Sequence, residues 1–486
     1  MKTNALSLMS VIVRTDSYKF AQWRMYPTDT INMSSYIESR GGERESVFFG
    51  LQAFIKDYLL DPITMADINR AELVVRAHGL PFNREGWEIV LHEHNGFLPL
   101  TIQAVPEGTV MPTHNVQVQV RLTKDDARLA WLVSYIETCL LRGVWYPSTV
   151  ATKSRKFKKM IASALLRSSD VPVSEQIAFK LHDFGSRGTS SGETAILGGM
   201  AHLINFMGTD TFEALFGAMH YYNTEAVVGF SIPASEHSTI TSWGRENEVD
   251  AYANMITQFS GKGKLYACVS DSYNIWAAIS NLWGRALKEQ VISSGGTLVV
   301  RPDSGTPVDV VVRCLQLLDE AFGSTRNRKG FRVLHPSVRL IQGDGINEES
   351  LPLILQAIMA AGFSVENVAF GMGGGLLQAW NRDSLRYAMK ASARKTSDGR
   401  WLGFSKDPVT DHGKRSKEGR LGLVLSGGIG GSTIMTVTEQ DANERGNLLR
   451  DVYCDGLLLI EDTFEAVRER AALQECEYDN EMQDRY

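Results

Sequence analysis

The sequence predicts an α/β protein, an irregular (β/α) barrel beside a second, strand-rich α+β domain built from both chain ends. Three observations carry this prediction. Between Lys180 and Leu377, short apolar runs end abruptly in clusters of Gly, Asp, Arg, Ser or His, and a helix-like stretch follows each cluster. The junctions read LHDFGSRG, FMGTDT, VVGFSIPASEHS, CVSDSYN, LVVRPDSG, LIQGDG and VAFGMGGGLLQ. They recur at roughly 31 residues, the length one βα unit of a barrel needs. On either side of this region the rhythm changes to paired strands, and 486 residues are more than one core usually holds. The predicted division is therefore residues 1–150 with 386–486, and a barrel over 151–385.

In chain order, LQAFIKDYLL has the spacing of an amphipathic helix. LPLTIQAV and VQVQVRL alternate with period two around a turn region from Pro106 to Asn115, which predicts two strands. The run from ARLAWLV to IASALL predicts two helices interrupted near Pro147, because proline removes a helical N–H. The barrel units follow. Beyond them, LGLVLS and STIMTVTE flank GGIGG as a hairpin. The loop Gly427 to Gly431 is superficially like a phosphate cradle, but a strand follows it rather than a helix N-terminus. A last helix is expected from Asp462, with Glu465 at capping-box spacing.

Bulk properties exclude several classes. A formal charge of −6, from 50 Lys+Arg against 56 Asp+Glu, lacks the basic excess of a nucleic-acid surface. Five scattered cysteines with no C-x-x-C pair disfavour a disulfide framework and a zinc site, and point to a reducing cytoplasm. The N-terminal stretch reads as mature sequence without a cleavage pattern. No uninterrupted apolar stretch approaches the roughly 20 residues of a membrane span.

Chemistry in a barrel gathers at the C-terminal ends of the strands, where all the polar clusters here fall. GMGGGLLQ, residues 371–378, follows the strand NVAF. Its glycines let backbone N–H groups approach an anion, with Arg382 further on as a forked donor. LVVRPDSG sets Arg301 and Asp303 after a strand; LIQGDG offers Gly343 and Asp344, and CVSDSY offers Asp271. Each acid alone also reads as a helix N-cap, but three on one barrel face fit a phosphorylated sugar with Mg²⁺. His237 in SIPASEHST falls in the first turn of a helix, whose dipole disfavours the imidazolium. Such a ring can serve as base, phosphate donor or phosphoryl acceptor, or be structural. Phe184 and Arg187 in LHDFGSRG combine an aromatic face and a cation suited to a flat heteroaromatic ring, although a Phe at a strand end is commonly core. There is no G-x-S-x-G, no G-x-x-x-x-G-K-[ST], no H-E-x-x-H and no dinucleotide G-x-G-x-x-G.

Taken together, TDSYK at 15–19, FFGLQAF, AVPEGTV, WYPSTVATKSR, KLHDFGSRGTSS, NFMGTDT, PASEHSTIT, VSDSYNI, RPDSG, IQGDG, FGMGGGLLQ and KDPVTDHGKRSKEGR resemble, in order, the nicotinate/nicotinamide phosphoribosyltransferase family. These are the type II phosphoribosyltransferases, and the likeness is to members that make nicotinamide mononucleotide. It implies transfer of the 5-phosphoribosyl group from phosphoribosyl diphosphate to nicotinamide, in a pyridine nucleotide salvage step. A nicotinate enzyme and a non-catalytic mononucleotide-binding protein stand as the alternatives.

The resemblance also implies roles. Phe184, and Tyr18 from a partner subunit, would sandwich the nicotinamide ring near Arg187, with Asp210 and Arg301 on its carboxamide. Asp210 alone reads equally as a cap for a helix beginning at Thr211. Gly343, Asp344, Gly373, Gly374 and Arg382 would line the ribose phosphate site, and Arg40, Lys390, Lys406 and Lys414 match basic positions around the phosphates. His237, Asp271 and Asp303 would be catalytic, the two acids holding Mg²⁺ directly or through water and pyrophosphate. His237 matches a histidine phosphorylated when ATP drives the reaction. A homodimer with shared sites is implied. Two departures stand out: Ala267 replaces an expected serine near the amide, and the stretch after Arg40 is short.

Overall fold

The computed structural model describes residues 9–410, 415–428 and 431–478. By Cα proximity these residues form two compact units. One holds residues 9–152, 218–225 and 380–471, and the other residues 153–217, 226–379 and 472–478.

The first unit is built on a seven-stranded sheet in the order Trp401–Gly403, Ala388–Thr396, Thr30–Glu38, Val116–Leu122, Leu100–Ala104, Arg450–Cys454 and Leu457–Leu458. Neighbouring strands are antiparallel, so segments from both chain ends complete one sheet. VQVQVRL is a strand as its alternation predicts, yet both faces are covered. Gln117 and Gln119 are as buried as Val116, Val118 and Val120 beside them. Their amides stay satisfied: Gln117 donates to Ser46 Oγ at 2.8 Å, and Gln119 Oε1 accepts from the Leu421 N–H at 2.8 Å. Against this sheet pack Trp87, Trp131 and Tyr135, edge to face with centroids 5.1 to 5.3 Å apart. The glycine-rich hairpin forms as expected, Leu421–Gly428 against Gly431–Thr438, with Ile429 and Gly430 outside the described residues.

Two helix predictions need correction. A single helix runs Glu137–Ser168 with Pro147 inside it, where two helices were expected. The carbonyl that Pro147 would have bonded belongs to Gly143, which adds no side chain to that turn, and Thr149 and Thr152 hydroxyls donate to Trp145 O and Ser148 O just beyond. The final helix spans Phe464–Ala471 and is capped by Thr463, whose Oγ1 accepts the Ala466 N–H at 3.2 Å. Asp462 is instead an ion-pair partner of Arg470 at 2.5 Å.

The second unit carries the barrel strands. Six parallel strands lie in the order Gly208–Thr209, Leu181–Asp183, Val368–Met372, Val338–Gln342, Thr297–Arg301 and Leu265–Val269. The sheet curls, and its edges are joined irregularly through the segment from Phe230 to Ala234. Single parallel bridges link Gly208 to Phe230 and Ala234 to Ala267. Inside the curl lies a small apolar cluster of Ala267, Val299 and Ile341, with Phe184, Ile232 and Ala369 against it. Because side chains alternate across each strand, one set fills this interior while the other packs on the surrounding helices.

Candidate active site

A cavity of about 580 Å³ occupies the inside of the curled sheet. Near the C-terminal ends of its strands it is lined by Phe184, Asp210, Ser231 and Arg301, midway by Ala267, and near the opposite ends by Lys180, Arg339 and Glu366. Its mainly apolar wall with a few polar groups is the usual makeup of a small-molecule site.

Phe184 follows the strand Leu181–Asp183, and its N–H donates to Met372 O at 3.0 Å, which ties it to the neighbouring strand. Its ring rests on two glycines. A Cβ on Gly371 would fall inside the ring, and one on Gly343 would come within 3.2 Å of Cε2. So two of the glycines in the predicted phosphate loops make room for the aromatic face. Arg187 is on the exposed one-turn helix Ser186–Gly188 of the same loop.

Asp210 lies one residue past Gly208–Thr209. The helix after it runs Glu213–Tyr222, not from Thr211, and Asp210 Oδ1 accepts from Ser231 Oγ at 2.6 Å. That bond turns the carboxylate toward the cavity wall, so Asp210 is not held as a cap for a helix starting at Thr211. Arg301 ends its strand half-buried, and its Nε meets no hydrogen-bond acceptor among the described residues. The serine at 231 was hidden inside the string SIPASEHS, where nothing in spacing singles it out.

His237 is the first residue of the short helix His237–Thr241, as expected. What the sequence did not show is its company. Nε2 is 3.6 Å from Asp271 Oδ1 and 3.5 Å from Asp303 Oδ2, while Nδ1 lies 3.1 Å from Ser272 Oγ. Asp271 is nearly buried: its Oδ2 accepts from the Asp303 N–H at 2.9 Å and from the Ser304 hydroxyl, and its Oδ1 accepts no hydrogen bond among the described residues. Arg301 reaches Asp303 at 3.9 Å. Residues from two other junctions thus converge on the histidine of a third. Among the described residues no three His, Cys, Asp or Glu side chains group as a metal cage. Mg²⁺ keeps several waters and needs only one or two carboxylates when a diphosphate supplies the rest, and Asp271 and Asp303 fit that requirement.

The glycine loops are shorter devices than the sequence suggested. Only one helical turn, Gly374–Leu377, follows Gly373, so a helix dipole adds little there. Gly374 is exposed with open space where a Cβ would stand. Gly343 and the exposed Asp344 follow the strand Val338–Gln342, with Gln342 Nε2 donating to Asp344 O at 2.8 Å.

The remaining basic candidates and Tyr18 belong to the strand-rich unit. Tyr18 is 56% exposed on the 3₁₀ segment Ser17–Arg24. Arg40 is held by Glu38 at 2.7 Å and by Tyr36. Lys390 projects from Ala388–Thr396, 3.8 Å from Glu137; burial, with Arg40, Lys406 and Lys19 nearby, lowers its pKa from the usual lysine range, and Glu137 opposes this. Lys406 is exposed. Arg382 lies in a turn and pairs with Asp383 at 2.9 Å, rather than on a helix after the GMGGG loop. Lys414 lies outside the described residues.

Comparison with known proteins agrees with this geometry. Residues 179–457 match the model of the nicotinate phosphoribosyltransferase (NAPRTase) family, and residues 10–102 match the nicotinamide phosphoribosyltransferase N-terminal domain. A nicotinamide phosphoribosyltransferase of Xanthomonas campestris pv. campestris is 51% identical over 96% of this chain and 98% of its own length. One of Acinetobacter baylyi is 32% identical over 94% of this chain and 96% of its own. Among solved structures, nicotinate-nucleotide pyrophosphorylase from Pyrococcus furiosus shares the fold at a TM-score of 0.61 and 15% identity, over 99% of this chain and 98% of that one. The family model, which spans more than half of the residues, and the two relatives place this chain in the nicotinate phosphoribosyltransferase (NAPRTase) family.

Proposed function

We propose that this chain is a pentosyltransferase of NAD biosynthesis that moves the 5-phosphoribosyl group from phosphoribosyl diphosphate to nicotinamide, giving nicotinamide mononucleotide and pyrophosphate. The observation that carries the reading is the meeting of Phe184, Asp210 and Arg301 at one cavity wall, with Arg301 also approaching Asp303 beside His237 and Asp271. The 51% identical relative from Xanthomonas campestris pv. campestris is a nicotinamide phosphoribosyltransferase, which supports the same substrate.

In this reading Phe184 stacks on the pyridine ring, while Asp210 accepts from the carboxamide N–H₂ and Arg301 donates to its carbonyl. The ring nitrogen's lone pair forms the bond to C1 of the sugar as the C1–O bond to pyrophosphate breaks, and that electron pair leaves with the pyrophosphate. The sugar passes through a cation-like state, as in glycosyl transfer generally. Mg²⁺, when bound, supplies charge neutralisation on the leaving group. Asp271 and Asp303 would hold it through water and the diphosphate. Gly343, Asp344, Gly373, Gly374 and Arg382, with Arg40, Lys390, Lys406 and Lys414, would bind ribose and phosphates. Little proton transfer is needed, which suits a site rich in binding groups.

Three further elements belong to this reading. ATP would activate the enzyme by phosphorylating His237. Tyr18, exposed in one chain, would complete the ring sandwich of a partner copy in a homodimer with shared sites. A cytoplasmic setting suits the free cysteines Cys139, Cys268, Cys314, Cys454 and Cys476; no helix among the described residues is long and apolar enough to cross a membrane.

A nicotinate enzyme would place a substrate carboxylate against Asp210. Assay with labelled nicotinamide and nicotinate side by side tests the reading. Mononucleotide formed chiefly from nicotinamide is expected; preference for nicotinate, or no product from either, overturns it.

A further inference from the structure

Asp183 stands at the end of the strand Leu181–Asp183, directly before Phe184, and is 0% exposed. Nothing in the proposed chemistry uses it. Its main-chain oxygen accepts from the Asp210 N–H at 2.8 Å, and its Oδ1 accepts from the Gly185 N–H at 2.7 Å. One residue thus fastens both the loop that carries Phe184 and the segment that carries Asp210. Its surroundings leave little slack. A Cβ on Gly185 would come within 2.6 Å of Leu377 Cγ, and one on Gly199 within 3.1 Å of Thr211 Cγ2 and 3.4 Å of Asp183 Oδ2. Oδ2 itself meets no donor at hydrogen-bond geometry among the described residues, although the Thr211 hydroxyl is close by.

We propose that Asp183 is a positioning residue for base binding: its buried carboxyl holds the Phe184 loop through Gly185, in register with the Asp210 segment that its main-chain oxygen holds. This rests on the reading that Phe184 and Asp210 bind nicotinamide. The argument is geometric. Two loops from adjacent strands must hold a ring and a carboxylate on one small planar ligand, and a displacement of about 1 Å can cost on the order of a hundredfold in such sites. A carboxyl bonded to the loop's own N–H removes that freedom, and its bond to Gly185 is stronger when ionised.

Burial pushes the Asp183 carboxyl up to about 6, and the negative charge of Asp210 adds to this; the Thr211 hydroxyl and the Gly185 N–H act the other way. The helix Gly192–Leu203 faces it with Gly199, and Leu377 closes the loop side with an apolar surface. Asp210 is the charged group facing it from the neighbouring strand's end. Ionisation between pH 5 and 7 therefore converts a neutral hydrogen bond at Gly185 into a charge-assisted one.

The test measures the KM for nicotinamide, the KM for phosphoribosyl diphosphate and kcat from pH 5 to 8 for the full chain and three variants. Asp183→Ala is expected to raise the KM for nicotinamide about tenfold or more, with kcat within threefold and the other KM within twofold. Asp183→Asn keeps the acceptor without the charge. It is expected to show a nicotinamide KM a few times higher than that of the unaltered chain at pH 7, and to lack the fall in KM between pH 5 and 7 expected of the unaltered chain. An alanine variant whose nicotinamide KM stays within twofold overturns the proposal. Should that variant fail to fold, parallel pH profiles for the asparagine variant and the unaltered chain overturn it instead. Phe184→Ala separates the two readings: an unchanged nicotinamide KM there sinks the assignment of the base site itself, whereas a raised one with Asp183→Ala unaffected sinks only the role of Asp183.

Discussion

The ring of Phe184 lies directly on Gly371, in the space a Cβ at 371 would fill. Both residues stand near the C-terminal ends of adjacent parallel strands, where Phe370 pairs with Leu181 and Gly371 with His182. The glycine is therefore a shape requirement of the aromatic wall, set within the strand Val368–Met372.

Gly371→Ala should push the ring off its seat. The expected result is a nicotinamide KM raised at least tenfold, with stability lower by about 1 to 3 kcal/mol as in other overpacked cores. Steady-state kinetics and thermal unfolding check the two parts separately, and unchanged kinetics would mean the ring does not touch the base.

Asp210→Asn removes a charge while leaving an acceptor for Ser231. A carboxylate near the bound base should repel nicotinate by a few kcal/mol in a partly desolvated pocket, or more than a hundredfold. The variant should lose efficiency with nicotinamide and gain relative efficiency with nicotinate. An unchanged preference ratio would leave Asp210 with a purely structural role.

His237 faces two carboxylates across 3.5 and 3.6 Å and is half-buried. Incubation with ATP should yield an acid-labile phosphate that His237→Ala lacks, and ATP should lower the nicotinamide KM. Label that persists in the alanine variant assigns the phosphate to another residue.

Tyr18 is exposed in a single chain, and Asp303 stands beside His237. If sites are shared across a homodimer, mixing inactive Tyr18→Ala and Asp303→Ala chains should restore part of the activity. No recovery after verified subunit exchange argues against shared sites.

Lys180 offers a pH-dependent check on the barrel. Its amine donates to Glu366 O at 2.8 Å and Val368 O at 3.3 Å, and burial, with Arg339 nearby, brings it down to about 7 from 10.5. Between those two values the unfolded chain binds the extra proton, so this residue makes stability rise with pH from about 7 toward 10.5. Below about 7 both states are protonated and its cost is fully present. Lys180→Met should flatten that part of the profile in denaturant unfolding at several pH values. A profile as steep as that of the unaltered chain would show that Lys180 is charged in the folded state throughout.

Much of the architecture was present in the sequence by itself. Apolar runs ending in polar clusters marked the barrel strands, because a strand buried on both faces has to be apolar until it reaches the mouth. The motifs carry the family resemblance, and they contain His237, Asp271, Asp303, Arg301 and Phe184. Tertiary structure decided what those residues face. The pairing of Asp271 and Asp303 on His237, the turn of Asp210 toward Ser231, and the seat of Phe184 on Gly371 join positions 21 to 187 residues apart. Only closure of the sheet sets such distances, and local patterns carry no record of them. The same limit explains the error at Pro147, which sits within one continuous helix, and explains why the strand signal of VQVQVRL did not tell that Gln117 and Gln119 are buried: packing partners elsewhere in the chain outweigh the local preferences of proline and glutamine.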